Sequence, residues 1–258
     1  MTTPVRTDLD AYRTAVAELP ESAIASPDVE GAIAVVPGGD AWWVAASEAI
    51  AAGAAAVIAA QPAVGPIEAL DALASLAGAV PVVVERPLLR ADMVAAVGAS
   101  IEELPAPGAL VVECHAPARS LGPALRDAIG WARVIARTPL APRTTESWGG
   151  RVLALLDSEQ GSAVSIAAAV QPGAPSPGRL RITSIAATRV EVDADLATIV
   201  AVTDATGRRI LPTRFESSER VALRRAISAI RTAERPSDLA DLRYDTGLAA
   251  TLLSALPA

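Results

Sequence analysis

Gly31–Val36, Val57–Ala60 and Val80–Glu85 are short apolar runs separated by helical segments, and this recurrence constrains the fold more than any other feature of the chain. A run of this length, apolar at nearly every position, predicts a strand buried on both faces, as in a parallel sheet. Between the runs, Asp40 is placed to cap a helix over 41–52 that ends at Gly53, and a second helix is expected over 66–77. A helix over 8–19 and an irregular connection over 20–27 precede the first run. Strand and helix alternating at short spacing is the signature of βαβ units.

After Pro105-Ala106-Pro107-Gly108 the grammar changes. A strand over 109–115 and a helix over 121–137 lead to a break at 139–142 and then to a series of strands. Residues 151–156 and 163–170 flank Asp157-Ser158-Glu159-Gln160-Gly161, which reads as a hairpin. Further strands are expected at 180–184, 189–192 and 197–203. Two helices close the chain, the first capped by Ser217 or Ser218 with Leu223, Ala226, Ile227 and Ile230 on one apolar face, the second starting at Pro236-Ser237-Asp238. The expected fold is thus α/β plus α+β. Residues 1–105 form a truncated Rossmann-like domain, and 106–258 an open, mostly antiparallel sheet covered by helices.

Composition narrows the chemistry. The chain has no lysine and no asparagine, all 22 of its basic residues are arginine, and His115 is its one histidine. Schiff-base chemistry and a phosphate-loop lysine are therefore excluded. An apolar fraction of 52% supplies a sizeable core. A net charge of -7 opposes nonspecific binding to nucleic acid. A single cysteine, Cys114, allows no intramolecular disulfide, and neither the N-terminal residues nor the alanine-rich run 44–60 reads as a signal or a membrane span. A cytoplasmic protein without nucleic-acid or membrane partners is expected.

Three stretches carry a family likeness: Asp28–Pro37, then Glu48-Ala49-Ile50-Ala51-Ala52-Gly53, then Val57-Ile58-Ala59-Ala60-Gln61-Pro62. They resemble, in order, the strand ending in Thr-Pro-Asn, the helix ending in Ala-Gly and the strand ending in Glu-Lys-Pro of the glucose-fructose oxidoreductase and inositol dehydrogenase (Gfo/Idh/MocA) family. The hairpin over 155–164 and the ending Arg235-Pro236-Ser237-Asp238-Leu239-Ala240-Asp241 resemble that family's C-terminal sheet and closing helices. The resemblance implies a Rossmann domain joined to an open sheet, a nicotinamide cofactor and a sugar or polyol substrate.

Three departures qualify it. No glycine precedes Gly31, so the glycine-rich turn that holds a pyrophosphate is missing. The N-terminal segment is read as too short for the family's first strand, first helix and second strand together, so the cofactor half-site is taken as deleted and no cofactor is expected. Gln61 stands at the position of the family's lysine, and an amide supplies neither proton nor charge. In the helix where the family carries its catalytic histidine this chain reads Arg126-Asp127-Ala128-Ile129-Gly130-Trp131, with Asp127 at the histidine position and Gly130 at the aspartate.

Of the remaining residues, His115 is the candidate general base, with Glu113 on the same strand face to orient it, against the reading of a structural histidine. Asp127 is a third catalytic candidate. Arg126 and Trp131, with Arg133 and Arg137, are candidates for a substrate cleft, against a solvated arginine face. Arg86 and Arg90 follow the third parallel strand, where open α/β sheets bind ligands, and compete with the reading of surface charges. Glu18, Glu21 and Asp28, or Glu102 and Glu103, have no histidine or cysteine support as metal ligands, and no metal is expected. Of the adjacent Trp42 and Trp43, one is expected in the core and the other in the vacated cofactor space or at a partner.

The expected function is a degenerate oxidoreductase homologue, a pseudoenzyme serving as a binding or partner subunit in sugar or polyol metabolism. It is expected to form a homo-oligomer through the small residues on one face of the C-terminal sheet, or a hetero-oligomer with an intact homologue. The alternative is an active enzyme: an NAD- or NADP-dependent sugar or polyol oxidoreductase, or a cofactor-free lyase or isomerase using His115, Glu113 and Asp127.

Overall fold

The computed structural model describes residues 2–174, 176–212 and 215–254. Two compact units are present, one made of Met1–Arg86 and Phe215–Tyr244, the other of Pro87–Arg214 and Asp245–Ala258. This differs from the expected boundary at 105/106, because helices on either side of it pack with the other half of the sequence.

In the first unit β1 (Thr3–Arg6), α1 (Asp10–Ala17), β2 (Ala23–Ala25), β3 (Ile33–Pro37), α2 (Trp42–Ala51), β4 (Ala56–Ala60), α3 (Ile67–Ala77) and β5 (Val82–Glu85) build a parallel sheet of order β2-β1-β3-β4-β5. The strands β3 and β4 are buried almost throughout, which is why they read as unbroken apolar runs. The two N-terminal strands are short: β2 falls in the connection expected to be irregular, and β1 precedes the first expected helix. Asp40 does not cap α2: the N-cap is Ala41 in the left-handed region, without a side-chain hydrogen bond.

In the second unit α4 (Ala91–Ile101), β6 (Ala109–Ala116) and α5 (Leu121–Ala136) precede β7 (Leu140–Trp148), β8 (Arg151–Ser158), β9 (Ala163–Val170), β10 (Arg179–Ile185), β11 (Arg189–Ala194), β12 (Thr198–Asp204) and β13 (Gly207–Ile210). The sheet order is β13-β12-β11-β10-β6-β9-β8-β7, antiparallel except for the β6–β9 pair. The hairpin formed by β8 and β9 is as expected, whereas β7 begins inside the segment expected to be a break. Leu110, Val112, Cys114, Val164, Ile166 and Ala168 are buried on the face that α5 covers. The helix α4 packs on α5.

The chain then returns to the first unit. The helix α6 (Ser218–Thr232) is capped by Ser217, whose side chain accepts from Arg220 N, and it lays Ala222, Leu223, Ala226 and Ile227 over β4, β5 and α1. The last helix, α7 (Asp238–Leu253), starts with Asp238 Oδ2 accepting from Val84 N of the edge strand at 2.8 Å, and the same carboxylate takes both Arg225 guanidinium nitrogens at 2.8 and 2.5 Å.

Candidate functional site

Open parallel sheets bind ligands beyond the carboxyl ends of their strands, at the point where the strand order reverses. In the first unit that reversal lies between β1 and β3, so the relevant segments are the turn after β1 and the loops after β3, β4 and β5.

The turn after β1 reads Arg6-Thr7-Asp8-Leu9-Asp10 and contains no glycine. Arg6 donates to both carboxylate oxygens of Asp8 at 2.6 and 3.0 Å, and Arg13 donates to Asp10 at 2.8 Å. The Asp8 carboxyl is held below its ordinary range by the hydrogen bond from Arg6, and Asp8, Asp10 and Arg13 lie in solvent while Arg6 is half-buried. The N-cap of α1 is Leu9, whose N–H is taken by Thr7 Oγ1 at 3.2 Å.

The loops after β3 and β4 are locked together. Ala63 N–H donates to Gly38 O at 2.6 Å, and a Cβ at Gly38 would lie 2.1 Å from Ala60 O and 2.3 Å from Gln61 O. Only glycine permits this approach. Next to it Gln61 is exposed with φ of 53°, a left-handed conformation that a non-glycine residue adopts at a cost and that clusters at functional positions.

Glu85, at the end of β5, is 5% exposed. Its Oε2 accepts from Tyr12 Oη at 2.8 Å, and its Oε1 from Ser218 Oγ at 2.6 Å and Gln61 Nε2 at 3.5 Å. Burial pushes the Glu85 carboxyl up, only partly offset by hydrogen bonds from Ser218 and Tyr12. The Tyr12 phenol is pushed up too, by burial first and then by the neighbouring Glu85 charge, so it stays a donor. The cluster thus joins α1, the β4 loop, β5 and α6 around one carboxyl group.

The residues singled out from sequence fall in several places. His115 and Glu113 do share a face of β6, the open one, while Asp127 lies on α5, which covers the other face. The lyase arrangement of His115, Glu113 and Asp127 is therefore not assembled. Asp127 is buried and accepts from Leu88 N at 3.2 Å and Arg126 Nε at 3.1 Å. Trp131 is fully buried, with Nε1 donating to Leu88 O at 2.7 Å. Arg126, Asp127 and Trp131 thus anchor the 88 segment within the second unit and do not form a solvated arginine face. Arg133 pairs with Asp245, Arg137 donates to the carbonyls of Ile101 and Glu102, and Arg90 pairs with Asp92. Arg86 is buried beside Glu85 in sequence. Cys114, facing α5, has its thiol pushed up to about 12 by burial and by Asp127.

Trp42 is in the core with Nε1 donating to Ala63 O, and Trp43 packs edge to face against it and over Gly65, so it does not fill a cofactor space. Glu18 pairs with Arg220. Among the described residues no group of three His, Cys, Asp or Glu is arranged to hold a metal ion, and no helix is long and apolar enough to cross a membrane.

No protein-family profile matches the chain, and no curated protein matches it by sequence. Solved structures do share its fold. A UDP-N-acetylglucosamine 3-dehydrogenase from Acidithiobacillus ferrooxidans superposes with a TM-score of 0.75 at 13% identity, covering 99% of this chain and 97% of that one. A mutant 3-ketoreductase from Actinomadura kijaniata, solved with TDP-benzene and NADP, gives 0.69 at 14% identity, covering 100% and 98%.

The expectation of no cofactor is corrected by these findings. The segment taken as too short for a first strand, helix and second strand contains all three in β1, α1 and β2. The fold is shared end to end with a protein solved holding NADP. The miss has a physical origin: β1 and β2 have no apolar run to announce them, and α1 is only 8 residues long. The Glu85 cluster was also missed, although an acid closing an otherwise apolar buried strand is a readable signal.

Proposed function

We propose that this chain is an oxidoreductase linked to a nicotinamide dinucleotide and acting on a hydroxyl or keto group of a sugar nucleotide. One observation carries the reading: a parallel sheet with its order reversing between β1 and β3, followed by a broad mixed sheet, in an arrangement shared over the whole length with a sugar-nucleotide dehydrogenase and an NADP-bound ketoreductase.

At the reversal two guanidinium groups are available to a diphosphate, each held at present by an aspartate that would compete with it. With no glycine turn to present backbone N–H groups, Arg6 and Arg13 are the groups that would hold the phosphates, exchanging their exposed partners Asp8 and Asp10 for them. Exposed pairs of this kind contribute little, so the exchange is cheap. Bound there, the dinucleotide supplies hydride exchange. The chain supplies the two guanidinium groups and, after the neighbouring strand β3, the close Gly38–Gln61 contact.

Thermal unfolding with excess NAD or NADP, in either redox form, tests this. Ligand at about 100 times its dissociation constant adds about 2.7 kcal/mol, a shift of a few degrees for a chain of this size. A shift with one of the four forms is expected, enlarged in Asp8→Asn because one competing carboxylate is removed. No shift with any form, in the natural chain and in Asp8→Asn alike, rejects the reading.

A further inference from the structure

The first unit contains no lysine, histidine or cysteine, so a proton moved at its carboxyl edge must be handled by a carboxylate or hydroxyl. Glu85 is buried there, and Ser218, the half-buried first residue of α6, links it to a more open position through an Oγ that donates to Glu85 Oε1 at 2.6 Å. The exposed amide of Gln61, held in its left-handed conformation, borders the same carboxyl oxygen at 3.5 Å. Tyr12 fixes the other oxygen from below at 2.8 Å.

We infer that Glu85 is the proton acceptor of this oxidoreductase and that Ser218 relays the proton to it from a secondary alcohol of the sugar, oriented by Gln61. The inference rests on the oxidoreductase reading proposed above. In the oxidation direction the alcohol O–H bond breaks as its proton passes to Ser218 Oγ, and the Ser218 proton passes to Glu85 Oε1. The C–H bond breaks with its electron pair, which leaves as hydride to the oxidised nicotinamide dinucleotide, and a C=O bond forms. Glu85 goes from carboxylate to neutral acid, the form that burial favours, so desolvation makes it a stronger base than an exposed glutamate. Tyr12, still protonated, holds it in place and does not compete for the proton. The groups facing Glu85 are Tyr12 of α1, Gln61 after β4, and Ser218 and Glu219 of α6, with the Glu219 charge adding to the upward push.

The test uses the full chain, E85Q and S218A, each checked for its fold by circular dichroism. Two measurements are made: turnover of UDP-N-acetylglucosamine with NAD and NADP as a function of pH, and carbon-13 NMR titration of the glutamate carboxyls in ligand-free protein, with Glu85 assigned by its loss in E85Q. E85Q is expected to keep the thermal shift given by the dinucleotide, to lose turnover by at least about 100-fold and to lose the acidic limb of the pH profile. S218A is expected to lose less and to move the Glu85 titration. Turnover of E85Q at the natural rate overturns the inference, as does a Glu85 that titrates like an ordinary glutamate or is indifferent to S218A. If E85Q does not fold, the turnover and pH profile of S218A decide: a profile and rate equal to those of the natural chain overturn the inference. If the natural chain does not turn over this probe, the carboxyl titration alone decides, and the dinucleotide shift separately decides the oxidoreductase reading.

Discussion

Burial of Glu85 among Tyr12, Gln61 and Ser218 ties the stability of the first unit to pH. Because the folded chain raises this carboxyl above its ordinary value of 4.5, folding takes up a proton over the interval between the two values. The stabilisation from this group is therefore fully present below the unfolded value and lost as pH rises through the raised one. Urea midpoints across that interval should fall with rising pH in the natural chain, and the contribution should vanish in E85Q. Gly38 makes a second residue-scale prediction. Alanine there would force a methyl group into the backbone oxygens of Ala60 and Gln61, at a cost on the order of 1–3 kcal/mol read from urea unfolding. The contacts at neither site were legible in the sequence. Pro37-Gly38-Gly39 announces a turn but not its contact with the next loop, and Glu85 stands 73 residues from Tyr12 and 133 from Ser218. Gln61, by contrast, was singled out by position alone, and its strained backbone gives that position physical content.

At the scale of elements, the buried and the alternating strands were legible, and the very short or mostly exposed ones were not. β3, β4 and β5 are apolar because both faces are covered, and β8 to β11 alternate because one face is. β7, exposed along most of its length, has no such pattern and contains Pro142, which an edge strand tolerates. Helix α4 lacks a side-chain cap and was not anticipated, while α6 carries Ser217 and was. The edge strand β5 is finished by Asp238, which satisfies Val84 N and Arg225 at once. Asp238→Ala should cost about 2 kcal/mol, because it leaves a backbone donor and a guanidinium without their acceptor. Thermal unfolding of the variant at neutral pH checks this.

At the scale of the molecule, the large sheet has one face under α5 and one open face, on which Val111, Leu153, Leu155 and Ile185 are exposed around the small residues Ala163 and Ala167. A groove of about 290 Å³ on that face is bordered by Trp148, Arg151, Glu113 and His115. We expect this face to join two copies of the chain, because exposed apolar side chains clustered on one face mark an association surface. Sedimentation velocity should find an oligomer that Leu153→Arg converts to monomer without loss of secondary structure. An unchanged sedimentation coefficient in the variant removes this face as the interface. The arrangement of the two units along the chain adds a consequence for synthesis. Ala222, Leu223, Ala226 and Ile227 complete the core over Ile33, Ile58 and Val83, yet they are translated only after the whole large sheet. The first strands made are thus among the last to be covered. On the ribosome one face of the nascent parallel sheet stays apolar and uncovered until α6 has been made.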